Sequence, residues 1–118
     1  MDERQALAAF AALGQEHRLR ALRALVAAGP DGLAAGLLAE AIGIAGNTLS
    51  FHLKELSHAG LIASRREGKS VIYTAAYDGL SDLIRFLMRD CCQGRPEVCA
   101  PALSALAACC PAGDTDHV

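Results

Sequence analysis

LLAEAIGIAGNTLSFHLKELSHAG, residues 37 to 60, is the stretch that decides the fold. It reads as a short apolar helix, a turn, and a longer amphipathic helix. In the second helix Leu49, Leu53 and Leu56 recur at i, i+4 and i+7, so they share one face and point into a core. The opposite face carries Asn47, Phe51, Lys54 and His58, flanked by Thr48 and Ser50. A small, polar, hydrogen-bonding face on the second of two tightly joined helices suits insertion into a DNA major groove. A solvated surface helix would have the same pattern, and the residues that follow favour the groove.

Those residues are Leu61 to Arg66 and Val71 to Tyr77, two strands around Glu67-Gly68-Lys69-Ser70. Val71, Tyr73 and Ala75 alternate with Ile72, Thr74 and Ala76, as in a half-buried strand. Arg65, Arg66 and Lys69 fall near the hairpin tip. A helix-turn-helix followed by a hairpin with a basic tip predicts a winged helix-turn-helix, mainly α with a β-hairpin wing. The recognition helix would read the groove while the wing reaches the backbone or the neighbouring minor groove.

Upstream, Glu3 to Leu13 predicts a helix with Leu7 and Phe10 on one face. Glu16 to Ala28 predicts a second, with Leu19, Leu22 and Val26 on one side and Arg18 and Arg20 toward water. Gly29-Pro30-Asp31-Gly32 is a strong stop. Leu33 to Ile42 predicts a third helix, weakened by Gly36 and closed by Gly43. The fourth starts near Gly46 or Asn47, where Asn47 is the available cap because Ala45 has no side-chain oxygen. Asp78 to Cys92 predicts the last helix. Its Leu80, Leu83, Ile84, Leu87, Met88 and Cys91 form a long apolar stripe, expected to be a two-fold dimer interface shared with Leu7 and Phe10. A dimer would set two reading helices in successive major grooves about 34 Å apart.

The composition agrees. The 118 residues are enough for one domain, residues 1–92, followed by a cysteine-containing tail, residues 93–118. Hydrophobic residues make up 53%, much of it alanine, so a partner subunit helps complete the core. Formal net charge is −2, but Lys54, Arg65, Arg66 and Lys69 outnumber Glu55 and Glu67 between Ile44 and Tyr77, a locally basic patch on an acidic body. The opening MDERQ is not a secretory signal, and no apolar run would span a bilayer, so a cytoplasmic protein without membrane contact is expected. Enzyme readings fail. Gly68-Lys69-Ser70 lacks the upstream glycine and the strand-loop-helix setting of a nucleotide-binding loop. Ser50 and His52 share a helical turn with no third catalytic group. His52 lies at the edge of the leucine face, where a structural hydrogen bond is its first role and a base contact its second. His17, His58 and His117 read as surface groups.

The chain resembles the ArsR/SmtB family of metal-responsive winged-helix repressors from about Leu13 to Tyr77. The resemblance rests on EHRLRALRAL (16–25), LLAEAIGI followed by NTLSFHLKELSHAGLI (37–62), and SRREGKSVIY (64–73). It implies a homodimer through the first and last helices that binds double-stranded operator DNA and releases it when a metal or metalloid binds. It implies base reading by Asn47, Thr48, Ser50, Phe51 and His52, and phosphate contacts by Lys54, Arg65, Arg66 and Lys69. Two sensor sites of the family are missing. LAAGLLAEA carries no cysteine pair before the reading helix, and the last helix has Asp78, Asp82 and Asp90 but no histidine. What remains, DCCQGRPEVC (90–99), resembles the arsenite repressors with vicinal cysteines ending the last helix and a third cysteine a few residues on.

All five cysteines lie beyond residue 90, an odd number in a tail rather than a disulfide framework. Cys91 and Cys92 adjoin Gln93-Gly94, a helix break, and Pro96 delays any new helix, so Cys99 can fold back. Three thiolates make a soft site. As(III) takes three sulfurs in a pyramid, and Sb(III) is the companion expectation, whereas structural zinc asks for a fourth ligand from Cys109, Cys110 or His117. Alternatives are methylated arsenic, cadmium, lead and thiol oxidation. A further one leaves Cys91 as a small core hydrophobe and the other thiols idle. No histidine or lysine adjoins Cys91 or Cys92 to activate a thiol enzyme.

Overall fold

A computed structural model describes residues 1–89 and 101. The chain divides into two units, Met1–Phe86 and Leu87–Val118. The order is α1 (Glu3–Leu13), α2 (Glu16–Ala28), a 3-10 turn (Gly29–Asp31), β1 (Leu33–Ala34), α3 (Ala35–Ile42), α4 (Gly46–His58), β2 (Ile62–Glu67), β3 (Ser70–Ala75) and α5 (Tyr77–Met88). This is a winged helix-turn-helix. The expected boundary between residues 92 and 93 lies outside the described residues.

The helix starts follow from local chemistry. Asp2 caps α1 by accepting from the Gln5 N–H at 2.8 Å, and the Gln5 side chain accepts from the Asp2 N–H at 2.8 Å, a reciprocal capping box. Gln15 caps α2 by accepting from the Arg18 N–H at 3.0 Å. In α1 the buried residues are Ala6, Ala9 and Ala12, small enough for close helix packing, while Leu7 stays 62% exposed and Phe10 is also exposed. In α2 the buried arc is Ala21, Leu22 and Leu25, and Leu19 and Val26 are exposed. This corrects the expected face. Two apolar arcs overlap on this helix, and the one that meets α3 and α4 also carries Arg18, which therefore does not point freely to water.

The core gathers around Leu25, Leu38, Leu49, Leu56 and Leu61, all fully buried. The turn after α4 is tied by the Leu61 N–H donating to the Leu56 carbonyl at 3.1 Å, and the end of β3 by the Ala76 N–H donating to the Leu61 carbonyl at 2.9 Å. Gly79, in the first turn of α5, lies against the Gly60 carbonyl so closely that any side chain there would collide with it. On α5, Leu83 is buried in the chain's own core and Leu80 packs against that core. Ile84 and Leu87 are exposed, and Met88 is half-buried. The apolar stripe is thus divided: Leu83 serves the subunit's interior, and Ile84 and Leu87, with Leu7 and Phe10, remain outside it. Among the described residues no helix is long and apolar enough to cross a membrane.

The sheet differs from expectation at one edge. Leu33 and Ala34 do not open the third helix; they pair antiparallel with Tyr73 and Ile72, giving the strand order β1-β3-β2. The reason is Gly32. Its φ is 70°, and a Cβ there would run into the Tyr73 carbonyl oxygen. Only glycine lets this chain lie alongside β3. The wing turn is also tighter than expected: Glu67 pairs with Ser70, leaving Gly68 and Lys69 as the loop, and β3 stops at Ala75 so that Tyr77 can begin α5.

Gly32→Ala is expected to lower unfolding free energy by about 1–3 kcal/mol, through strain at positive φ and loss of the β1 pairing. Gly36→Ala, where an added methyl meets nothing within 4 Å, is expected to stabilise by up to about 1 kcal/mol. Denaturant unfolding of the two variants against wild type measures both signs.

Candidate nucleic-acid interface

Helix α4 presents two faces. Leu49, His52, Leu53 and Leu56 are buried, and Asn47, Thr48, Ser50, Phe51, Lys54 and His58 are exposed. The N-cap is Ala45, which makes no side-chain bond. Asn47 supplies an oxygen from inside the first turn instead, accepting from the Thr48 N–H at 2.9 Å. The Ser50 hydroxyl donates back to the Gly46 carbonyl at 3.0 Å, so this side chain begins bonded to its own helix. Phe51, 55% exposed, is a large apolar ring standing on a polar face. Lys54 extends the same face with a charge.

His52 departs from the expected base-reading set. It is 7% exposed, and its Nδ1 accepts from Arg18 Nε at 3.1 Å. A guanidinium can only donate, so Nδ1 holds a lone pair and the ring proton sits on Nε2. The His17 ring lies 5.6 Å away, and Phe51 meets the ring edge-on at 5.7 Å. Burial, then the Arg18 charge and His17, hold the His52 pKa below the usual histidine range. Its first expected role, a structural hydrogen bond, is the one that the geometry supports, and a residue with this burial is not placed to touch a base. His17 is correspondingly part of the packing rather than a fully solvated group; its Nδ1 lies 3.3 Å from Gln15 Nε2.

The wing carries three cations in two different situations. Arg65 donates from Nη1 to the Pro30 carbonyl at 3.2 Å and from Nη2 to the Asp31 carbonyl at 2.8 Å, and its Nε pairs with Glu67 at 2.6 Å. Every guanidinium nitrogen is engaged, so Arg65 clasps the hairpin to the 3-10 turn rather than standing free for a phosphate, the role expected of it. Arg66 and Lys69 are exposed and make no bond among the described residues. The alternation of β2 puts Arg65 and Glu67 on one side and Arg66 on the other, which is why neighbours differ so sharply.

Arg18 is the residue that sequence reasoning misplaced. The available signal was its spacing, three and four residues before buried Ala21 and Leu22. No expected metal ligand can be located here: Cys91, Cys92, Cys99, Cys109 and Cys110 all lie outside the described residues. Among the described residues no group of three or more His, Cys, Asp or Glu is arranged to hold a metal ion.

A buried helix flank, a polar outer face and a hairpin with exposed cations are the arrangement of a winged helix-turn-helix DNA-binding domain. A family described as a helix-turn-helix domain matches residues 13–65. No curated protein matches the chain. Among solved structures, reduced HlyU from Vibrio cholerae is 30% identical with TM-score 0.58, covering 75% of this chain and 90% of that one. An ArsR-like transcriptional regulator from Rhodococcus is 28% identical with TM-score 0.64, covering 88% of each chain. The homodimeric winged helix-turn-helix DNA-binding domain of a possible ArsR-family regulator from Mycobacterium bovis is 29% identical with TM-score 0.59, covering 76% of this chain and 89% of that one. The chain belongs to the ArsR family of winged helix-turn-helix transcriptional regulators.

The depressed His52 pKa contributes stability that is complete above about pH 6.5, the unfolded-state value, and is lost as pH falls through the folded-state value, because unfolding then takes up a proton. His52→Gln is expected to flatten that acid limb when unfolding is measured between about pH 7.5 and 5. Separately, Arg66→Ala or Lys69→Ala should reduce the salt slope of DNA binding by about one unit per phosphate lost, whereas Arg65→Ala should weaken binding with little change of slope. Affinity titrations across salt concentrations distinguish the two.

Proposed function

We propose that this regulator is an arsenite-responsive repressor. It binds operator DNA as a homodimer and leaves it when As(III) joins Cys91, Cys92 and Cys99. The observation that carries the reading is the soft donor set in DCCQGRPEVC, a vicinal thiol pair three residues beyond the last residue of α5, with a third thiol seven positions after the second. Three sulfurs satisfy trivalent arsenic, and the other metal sites expected of the family lack their ligands in this sequence. Sb(III) has the same thiol preference. Leu7, Phe10 and Ile84 are exposed apolar groups available to a second subunit. The homodimeric Mycobacterium bovis domain supports that arrangement.

In this reading Asn47, Thr48, Phe51 and Lys54 face the groove, with Ser50 able to exchange its backbone bond for a base or phosphate. Arg66 and Lys69 neutralise phosphates. Drawing Cys99 toward Cys91 and Cys92 changes how α5 ends and so the angle between subunits, and a misplaced pair of reading helices loses one half-site. A coupling of about 1–3 kcal/mol is the usual size of such an effect.

A second reading keeps the DNA module and replaces the inducer with thiol oxidation. Two thiols give up two electrons and two protons to a peroxide, forming a disulfide and two waters. The reduced state named for the Vibrio cholerae relative favours keeping it. Operator duplexes selected by the protein from a random-sequence pool provide the test. Arsenite is expected to dissociate the wild-type complex, and Cys92→Ser is expected to resist the same arsenite level. Release by peroxide alone would support the second reading, and release of the variant at the wild-type arsenite level would remove Cys92 from the site. Cadmium, zinc and a methylated arsenical serve as parallel arms.

A further inference from the structure

We infer that Arg18, on α2 and outside the helix-turn-helix, binds a DNA phosphate beside the recognition helix and is aimed there by His52 and Phe51. The inference rests on the DNA-binding reading of α4 and is independent of the inducer.

The guanidinium is fixed at two points. Its Nε donates to His52 Nδ1 at 3.1 Å, and its central carbon stands 5.5 Å from the centre of the Phe51 ring. Both contacts are to neighbouring residues of α4, so the charge is held against the flank of that helix. Phe51 is itself exposed on the expected groove-reading face. Neither contact neutralises the cation: one partner is a neutral imidazole lone pair and the other a ring face. The remaining donors, on Nη1 and Nη2, make no hydrogen bond among the described residues.

Three other arginines of this body sit beside carboxylates. Arg20 pairs with Glu16 at 2.6 Å, Arg65 with Glu67 at 2.6 Å, and Arg85 lies 3.8 Å from Asp82. Glu55 lines the same small cleft as Arg18, together with His58, but forms no ion pair with it. A half-buried arginine that is oriented by two side chains, left without a counter-ion and aimed along a groove-reading helix has the geometry to take a phosphate oxygen on its outer edge. Its side-chain entropy is largely spent before DNA arrives, which distinguishes it from the flexible cations of the wing.

The test uses the full-length protein and a mixed-sequence DNA duplex about three helical turns long. Affinity is measured across salt concentrations for wild type, Arg18→Gln and Arg23→Gln. Glutamine at position 18 keeps a donor for His52 while removing the charge. Arg23 is an exposed residue of the same helix, about 140° around it from Arg18, so its variant controls for lost charge alone. Arg18→Gln is expected to reduce the salt slope by about 0.9 per bound chain, and Arg23→Gln to leave it near wild type. A second measurement needs no variant: modification of wild-type arginines by a dicarbonyl reagent, mapped by mass spectrometry, is expected to be suppressed by DNA at Arg18 and not at Arg23. Equal slopes for Arg18→Gln and wild type, or modification of Arg18 undiminished by saturating DNA, overturns the proposal. If wild type itself fails to bind the duplex, the DNA-binding reading falls and takes this one with it.

Discussion

A helix can offer one face to a groove only while its other face is held still. In α4 that hold is the burial of Leu49, Leu53 and Leu56, with one polar group, His52, admitted among them. Apolar burial of this kind is strong but has no direction: it fixes which face of a helix turns inward better than where the helix sits along its neighbour. The hydrogen bond from Arg18 supplies the missing direction. It joins the recognition helix to a specific atom of α2, and it does so from the side where the exposed residues begin. The pairing also keeps both partners defined, since the imidazole must stay neutral to accept and the guanidinium cannot lose its charge.

The wing is secured by the same logic at lower burial. Arg65 reaches the two carbonyls of the 3-10 turn, and Gly32 lets the next residues run beside β3. The hairpin is therefore the middle and edge of a three-stranded sheet rather than an isolated pair, an arrangement that matters because two-stranded hairpins alone are marginal in water. Local cations are divided between holding and reaching. Arg65 is spent on attachment, which leaves Arg66 and Lys69 extended from a fixed base.

Much of this was legible in the residues. Helical periodicity placed α1, α2 and α4 within a residue or two, because long alternating apolar and polar patterns average over local ambiguity. The winged helix-turn-helix was legible for the same reason, as was the division of α4 into a buried and an exposed face. Three things were not. A two-residue strand at Leu33–Ala34 has no period to detect, and it forms only because β3 is already there. The inward arc of α2 could not be separated from its neighbour by hydrophobicity, since leucine or valine occupies both, and Arg18 was misplaced with it. The role of Arg65 depended on carbonyls more than thirty residues away in sequence, which no local pattern encodes. The thiol cluster was visible from residue type alone, while its geometry belongs to residues outside those described.

The contact between Gly79 and the Gly60 carbonyl has a mechanical consequence. Two stretches of main chain meet there with no side chain interposed, so there is no rotamer to take up slack between them. The first turn of the last helix and the segment that leaves the reading helix are thus in direct main-chain contact. A change at the start of that helix therefore reaches the chain that leaves the reading helix through main chain alone.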